Sequence, residues 1–291
     1  MIEKYPVGIQ TFSEVIRHNA VYVDKTAHIL SLLTSNTKKS YFLSRPRRFG
    51  KSLLISTLKA LFEGKQPLFQ GLYIYDKMEW KTYPIIHLSM SDINFENLGL
   101  EKALKLECNR LAKKENVELV GNKSPLRELL EALYLKYEQQ VVILIDEYDK
   151  PIIHGLEAGN SSEAEKNRDI MKSFYGGLKD ADAQLRFLFI TGVSKFAKVS
   201  IFSDLNHLTD ISLDENYATL CGYTQEELEH YFPQGIEKLA KKYGMTQERC
   251  LAKIKDWYDG FSWDGENFMY NPFSTLQLFS SSQFSNYWFS T

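Results

Sequence analysis

The chain has little that would tie it to a special environment. Its 291 residues include only three cysteines, Cys108, Cys221 and Cys250, an odd number, far apart and without CxxC or Cys/His spacing. That argues against a disulfide scaffold or a zinc site and reads as reduced, packing thiols of a cytoplasmic protein. No apolar core follows the opening MIEKYPVGIQ, so no secretory signal is expected. The longest aliphatic run, VVILI at Val141–Ile145, is far shorter than the ~20 residues of a membrane helix, and no membrane partner is expected. Charge of one sign is missing too. Lys+Arg (35) and Asp+Glu (37) nearly cancel, so no overall field draws nucleic acid, and whether DNA is touched stays open.

Glycine is missing where it would be most expected. Ser44–Leu54 reads SRPRRFGKSLL, and its Gly50, Lys51 and Ser52 resemble the end of a phosphate-binding loop. Such a loop normally opens with a glycine five residues before the second one. Here that position is Arg45, and Pro46, Arg47, Arg48 and Phe49 fill the middle.

What is present is an alternation of apolar runs and helical periodicity. Hydrophobic residues make up 44% and charged residues 25%, enough for one large domain or two of roughly 150 residues. The N-terminal stretch predicts a short helix, a polar turn and a second helix carrying Ile29, Leu30, Leu32 and Leu33. Strands are expected at Tyr41–Leu43, Pro84–Met90, within VVILIDEYD, at Leu185–Gly192 and, more weakly, at His207–Leu213. Helices are expected after Ser52 as far as about Gly64, from about Leu98 to Lys114, and from Leu126 to Tyr137. Strands separated by helices imply a parallel α/β sheet covered on both faces. From Asp214 the character changes to polar-faced helices without buried strands. Residues 1–213 therefore read as the core and 214–291 as a helical subdomain.

In a parallel sheet, ligand chemistry gathers at the carboxyl ends of the strands. RPRRFGKS, DEYD and TGVSK each follow an apolar run directly. Backbone N–H groups at the start of the helix after Gly50 form an anion site, with Lys51 neutralising phosphate charge and the Ser52 hydroxyl joining a Mg²⁺ shell. Leu53 belongs to the same first turn. The bland alternative is a basic turn before an amphipathic helix. Asp146 stands where an ATPase holds its Mg²⁺, usually through water, and Glu147 where a general base would polarise the attacking water. Thr191 and Ser194 could sense the γ-phosphate or position that water, or could simply serve the turn at Gly192, and Lys195 is equally open. ATP and Mg²⁺ are the expected ligands.

With these pieces assembled, the chain resembles the bacterial and archaeal AAA-ATPase-like family of P-loop ATPases. The likeness is carried by Tyr5–Thr26, by RPRRFGKS (Arg45–Ser52), by DEYDKPI (Asp146–Ile152), by WYDGF (Trp257–Phe261) and by YNPFS (Tyr270–Ser274). It implies a P-loop NTPase fold with a helical lid, and a loop that tolerates arginine in place of glycine. Arg45, Arg47 and Arg48 could offer planar donors to phosphate, Arg47 or Arg48 in the manner of an arginine finger. A solvated or ion-paired loop is the alternative for the latter two.

The resemblance also implies an adenine pocket ahead of the loop, bordered by Tyr22, Val23, Asp24 and Lys25. Packing of Tyr22 and Val23, with Asp24 capping the next helix, is the competing role. The aromatic motifs are expected to pack lid against core. A restriction-like nuclease domain often follows in such proteins. Here the sequence stops at NYWFST and has no PD…ExK constellation, since EAEK (Glu163–Lys166) falls in a polar helix or loop.

The implied function is ATP hydrolysis coupled to the lid. The alternative is a nucleotide-controlled switch with little turnover that gates a partner. A GTPase is disfavoured because NKSP (Asn122–Pro125) lacks the aspartate of NKxD, and a small-molecule kinase stays open. Further copies of the chain and an effector or nuclease-like domain are the partners considered.

Overall fold

The computed structural model describes residues 3–35, 37–195, 201–203, 205 and 207–290. Met1, Ile2 and Thr291, which belong to the terminal stretches quoted above, lie outside the described residues.

Apolar runs become strands that pair side by side. The strands β1 (Ser40–Ser44), β2 (Ile85–Ser89), β3 (Val141–Asp146), β4 (Leu185–Gly192) and the two-residue β5 (Thr209–Asp210) form one all-parallel sheet in the order β2-β3-β4-β1-β5. This is a P-loop NTPase-like α/β arrangement. The fifth strand is shorter than His207–Leu213, because its pairing to β1 covers only Tyr41–Thr209 and Phe42–Asp210.

Alternation along the strands divides the core in two, since successive side chains face opposite ways. Phe42, Ile86, Leu88, Ile143, Ile145, Leu188 and Ile190 share one buried cluster. Tyr41, Leu43, Val142, Leu144, Phe187 and Phe189 belong to the other. The second face is covered from α1 (Phe12–Arg17), α2 (Thr26–Thr34) and α3 (Lys51–Phe62). The first is covered by α4 (Phe95–Leu98), α5 (Leu100–Lys114), α6 (Pro125–Tyr137), α7 (Lys150–Glu157) and α8 (Ser161–Gly176). The helix expected from about Leu98 to Lys114 is α5, which starts two residues later. Gly99 takes φ +76°, outside the helical region, and separates α4 from α5. EAEK lies in α8, clear of any strand.

Beyond Asp214 come α9 (Gln225–Tyr231), α10 (Pro233–Tyr243), α11 (Gln247–Tyr258) and α12 (Pro272–Ser281). They bury Leu228, Phe232, Ile236, Ile254, Leu278 and Phe279 in a third cluster that includes Val23 from the N-terminal segment. Two isolated antiparallel bridges, Tyr223–Tyr270 and Phe261–Met269, accompany the helices. Among the described residues no helix is long and apolar enough to cross a membrane.

Strand order sets the stage for chemistry. β4 lies between β1 and β3, with Gly192 level with Ser44, and Asp146 level with Ser89 of β2. The carboxyl ends of four strands therefore open on the same edge.

Candidate nucleotide site

The loop from β1 to α3 is shaped by two left-handed residues, Arg48 at φ +62° and Gly50 at φ +86°. A Cβ at Gly50 would meet nothing within 4 Å, so the glycine serves the backbone turn and not a crowded wall. Gly50 is the N-cap of α3, and no side chain caps it. The helix's first amide groups therefore need partners from elsewhere.

Arg45, in the position of the absent glycine, is almost fully buried, and its side chain leaves the loop. Its Nη1 donates to the carbonyls of Ser44 (2.9 Å) and Ser212 (2.8 Å), and its Nη2 to Tyr217 (3.1 Å). The guanidinium also lies 4.1 Å from the centre of the Trp263 ring. Burial lowers its pKa to about 10, yet leaves it cationic at neutral pH. The Nη1 and Nη2 donors expected for phosphate are thus engaged on the β5 side. Phe49 is fully buried, 4.8 Å from Phe261 and 5.1 Å from Trp263 between ring centres. Arg47 is exposed and ion-paired with Glu157 at 3.0 Å, and Arg48 stacks over Phe273 at 4.0 Å.

Lys51 is buried at the start of α3. Its Nζ donates to the carbonyls of Arg45 (2.9 Å) and Pro46 (2.8 Å), folded back onto the loop. Burial pulls its ammonium below the ordinary lysine value, and Asp146 is the largest opposing influence. The lysine and the aspartate therefore share one electrostatic neighbourhood.

At the end of β3, Asp146 accepts a 2.5 Å hydrogen bond from the Thr191 hydroxyl of β4. Thr191 thus orients the aspartate. Glu147 turns left-handed at φ +54°, and its carboxylate accepts the Ser91 hydroxyl, which in turn accepts Lys150 Nζ at 3.0 Å. Asp149, the third acid of DEYD, is buried and accepts the backbone N–H groups of Val193 (3.0 Å) and Ser194 (2.7 Å). Tyr148 OH donates to the Ser194 carbonyl at 3.0 Å. Ser194 therefore belongs to a knot that ties the ends of β3 and β4 together.

A cavity of 360 Å³ joins the pieces. The loop lines it from Arg47 to Leu53, including Gly50, Lys51 and Ser52, and Glu147 lines it from β3. Gly8–Gln10 and Val21–Val23, with Lys25, form the N-terminal wall. Leu220–Tyr223, Pro272, Phe273 and Leu276 complete it. Tyr22 is in this wall, while Asp24 is not: its carboxylate accepts from Thr26 N and Tyr73 N. Arg45, Pro46, Asp146, Thr191 and Ser194 also stand outside the lining. A larger cavity of 650 Å³ lies between α5, α6 and α8, lined by lysines and acids of mixed sign and by none of these motifs.

Oxygen donors suit a hard cation shared with a nucleotide. Ser52 offers a hydroxyl at the cavity and Asp146 a carboxylate beside Lys51. Among the described residues no group of three or more His, Cys, Asp or Glu could hold a metal by itself.

Sequence reasoning missed Ser91, Asp149 and Phe273. The first was findable, because parallel register brings SMSD beside DEYD once β2 and β3 are paired.

The model of the AAA-ATPase-like family, described as predicted AAA-ATPase, matches residues 6–202. An "Uncharacterized protein in vnfD 5'region" of Azotobacter chroococcum mcd 1 is 39% identical over 303 residues, covering 99% of this chain and 54% of that protein. The chain spans about half the length of that relative.

Proposed function

The chain belongs to the AAA-ATPase-like family, and from that premise we propose that it binds ATP with Mg²⁺ at the Gly50–Ser52 loop and hydrolyses it. The observation that carries the reading is the meeting of Lys51, Ser52 and Glu147 on one cavity at the sheet's edge. In this reading residues 1–213 are the core and 214–291 the lid.

Each residue has a task that its surroundings support. The Lys51 ammonium exchanges the carbonyls of Arg45 and Pro46 for phosphate oxygens, which carry more charge and bind it more strongly. The uncapped amides of α3 join it from the helix start. Ser52 and Asp146 would hold Mg²⁺, which when bound neutralises phosphate charge. Thr191 keeps the Asp146 carboxylate oriented. Glu147 takes the proton of the attacking water, and Ser194 supports the adjoining turn. Tyr22 and Val23 border the base, with Asp24 fixing their segment from behind through Thr26 and Tyr73.

A second reading has its own observation. The Glu147 carboxylate is engaged by Ser91, which Lys150 also contacts, and a base so engaged does not activate water until it is released. That supports a switch with slow turnover, gating a further copy of the chain or an effector domain.

Two variants separate these readings. Lys51→Ala should abolish the ATP·Mg²⁺-induced rise in melting temperature; an unchanged rise would refute the site. Glu147→Gln should keep that rise and lose phosphate release. Equal release in variant and parent would remove Glu147 from the mechanism, and no release from a parent that binds ATP would favour the switch.

A further inference from the structure

Building on the nucleotide reading above, we propose that Arg48 is a phosphate-contacting residue that tells a triphosphate from a diphosphate, and that its seat on Phe273 lets α12 read the difference. The three loop arginines are unequal. Arg45 is taken by three backbone carbonyls. Arg47 has a carboxylate partner, Glu157. Arg48 has neither. Among the described residues its guanidinium has no hydrogen bond or ion pair, and it rests on the Phe273 ring. A guanidinium lying on an aromatic face keeps the N–H donors at its rim free for an acceptor.

Placement gives that free charge a purpose. Arg48 and Phe273 both line the cavity that holds Lys51 and Ser52. The left-handed turn at Arg48 sends neighbouring side chains apart: Arg47 outward to Glu157, Phe49 inward to Phe261 and Trp263, and Arg48 to α12. Phe273 sits in the first turn of α12, a helix start fixed by the Asn271 side chain accepting Ser274 N.

The attraction of a cation to a ring is weaker than its attraction to a terminal phosphate group, where two opposite charges meet. ATP therefore draws Arg48 off Phe273, and ADP, lacking the third phosphate, leaves it there. The same event frees the first turn of α12.

The test compares parent, Arg48→Ala, Arg48→Lys, Phe273→Leu and Lys51→Ala. Calorimetry gives the dissociation constants of ATP·Mg²⁺ and ADP·Mg²⁺, and amide exchange follows residues 273–281 with each nucleotide. Arg48→Ala should weaken ATP about 10- to 100-fold while changing ADP less than about threefold, the effect of one charge-assisted contact. Arg48→Lys, which keeps the charge, should recover part of the ATP preference, and Lys51→Ala should weaken both nucleotides. Phe273→Leu, with each nucleotide at a concentration that saturates the variant, should lose the ATP–ADP difference in exchange.

An unchanged ATP-to-ADP ratio in Arg48→Ala overturns the proposal while leaving the nucleotide site standing. An exchange difference that persists in Phe273→Leu overturns the reading by α12. A parent that binds neither nucleotide overturns the site and this proposal together.

Discussion

Arg45 shows how one side chain can replace a glycine without serving the glycine's purpose. Its guanidinium bonds to carbonyls of Ser212 and Tyr217, more than 160 residues away. It therefore holds the loop's first turn against the β5 side of the sheet. Restoring the general motif with Arg45→Gly should destabilise the fold by about 3 kcal/mol, because hydrogen bonds from a charged donor are lost and buried carbonyls go unpaired. Urea unfolding measures it, and a variant as stable as the parent would show that those bonds are replaceable. Nothing local in RPRRFGKS announces this role. The placement of Lys51, Ser52 and Glu147 was legible because it follows from strand ends, whereas the task of Arg45 depends on which distant carbonyls the sheet order brings alongside. Arg47 and Arg48 are alike in sequence for the same reason, and become different only through Glu157 and Phe273.

Between elements, the joint that matters is the one where β3 meets β4. A Cβ on Gly192 would lie 2.4 Å from Tyr148 Cε1, so only glycine lets the two strand ends close. Asp149 then locks them by accepting from Val193 and Ser194. Burial raises its carboxyl above the ordinary 3.8, against the pull of those donors. The folded chain therefore takes this proton more readily than the unfolded one. The group's contribution to stability is full below 3.8 and declines as pH rises through its raised value. Asp149→Asn, whose amide oxygen is a weaker acceptor than a carboxylate and does not titrate, should be less stable by about 1–3 kcal/mol. Its deficit should widen as pH falls through the window above 3.8. Denaturation at several acidic pH values checks it, and a deficit that closes toward acid would mean that the donated N–H groups outweigh burial. The apolar runs made these strands readable to within a residue or two. The lock was not, because an aspartate in an acidic turn reads the same whether it faces water or a neighbouring loop. The short α4 before Gly99 was not read either, because four residues are too few to show a helical period.

Across the whole molecule, the N-terminal segment is the strap that joins the core to the four C-terminal helices. Toward the core, the Ser56 hydroxyl accepts Phe12 N and donates to the Gln10 carbonyl, while Asp24 accepts Tyr73 N. Toward the helices, the Glu3 carboxylate accepts Gln234 N and Gly235 N at the start of α10, and the Tyr5 ring packs on Phe279 at 5.7 Å. The firmest tie is Lys25, whose Nζ lies 2.6 Å from both carboxylate oxygens of Glu227. Burial lowers the lysine's proton affinity, and the glutamate beside it opposes that fall. Lys25→Ala leaves Glu227 without its cation and should reduce stability by about 3 kcal/mol, the scale of breaking a largely buried pair. The damage should not be uniform, since the strap also forms one wall of the candidate nucleotide cavity. Amide exchange should show residues 225–258 losing protection before the sheet does. ATP at a hundredfold excess over its dissociation constant should stabilise the parent by about 2.7 kcal/mol, and the variant by clearly less. If exchange rises equally in sheet and helices and the ATP effect is untouched, the strap is only one more contact and the helices must be tied to the loop through Phe261, Trp263 and Phe273 instead.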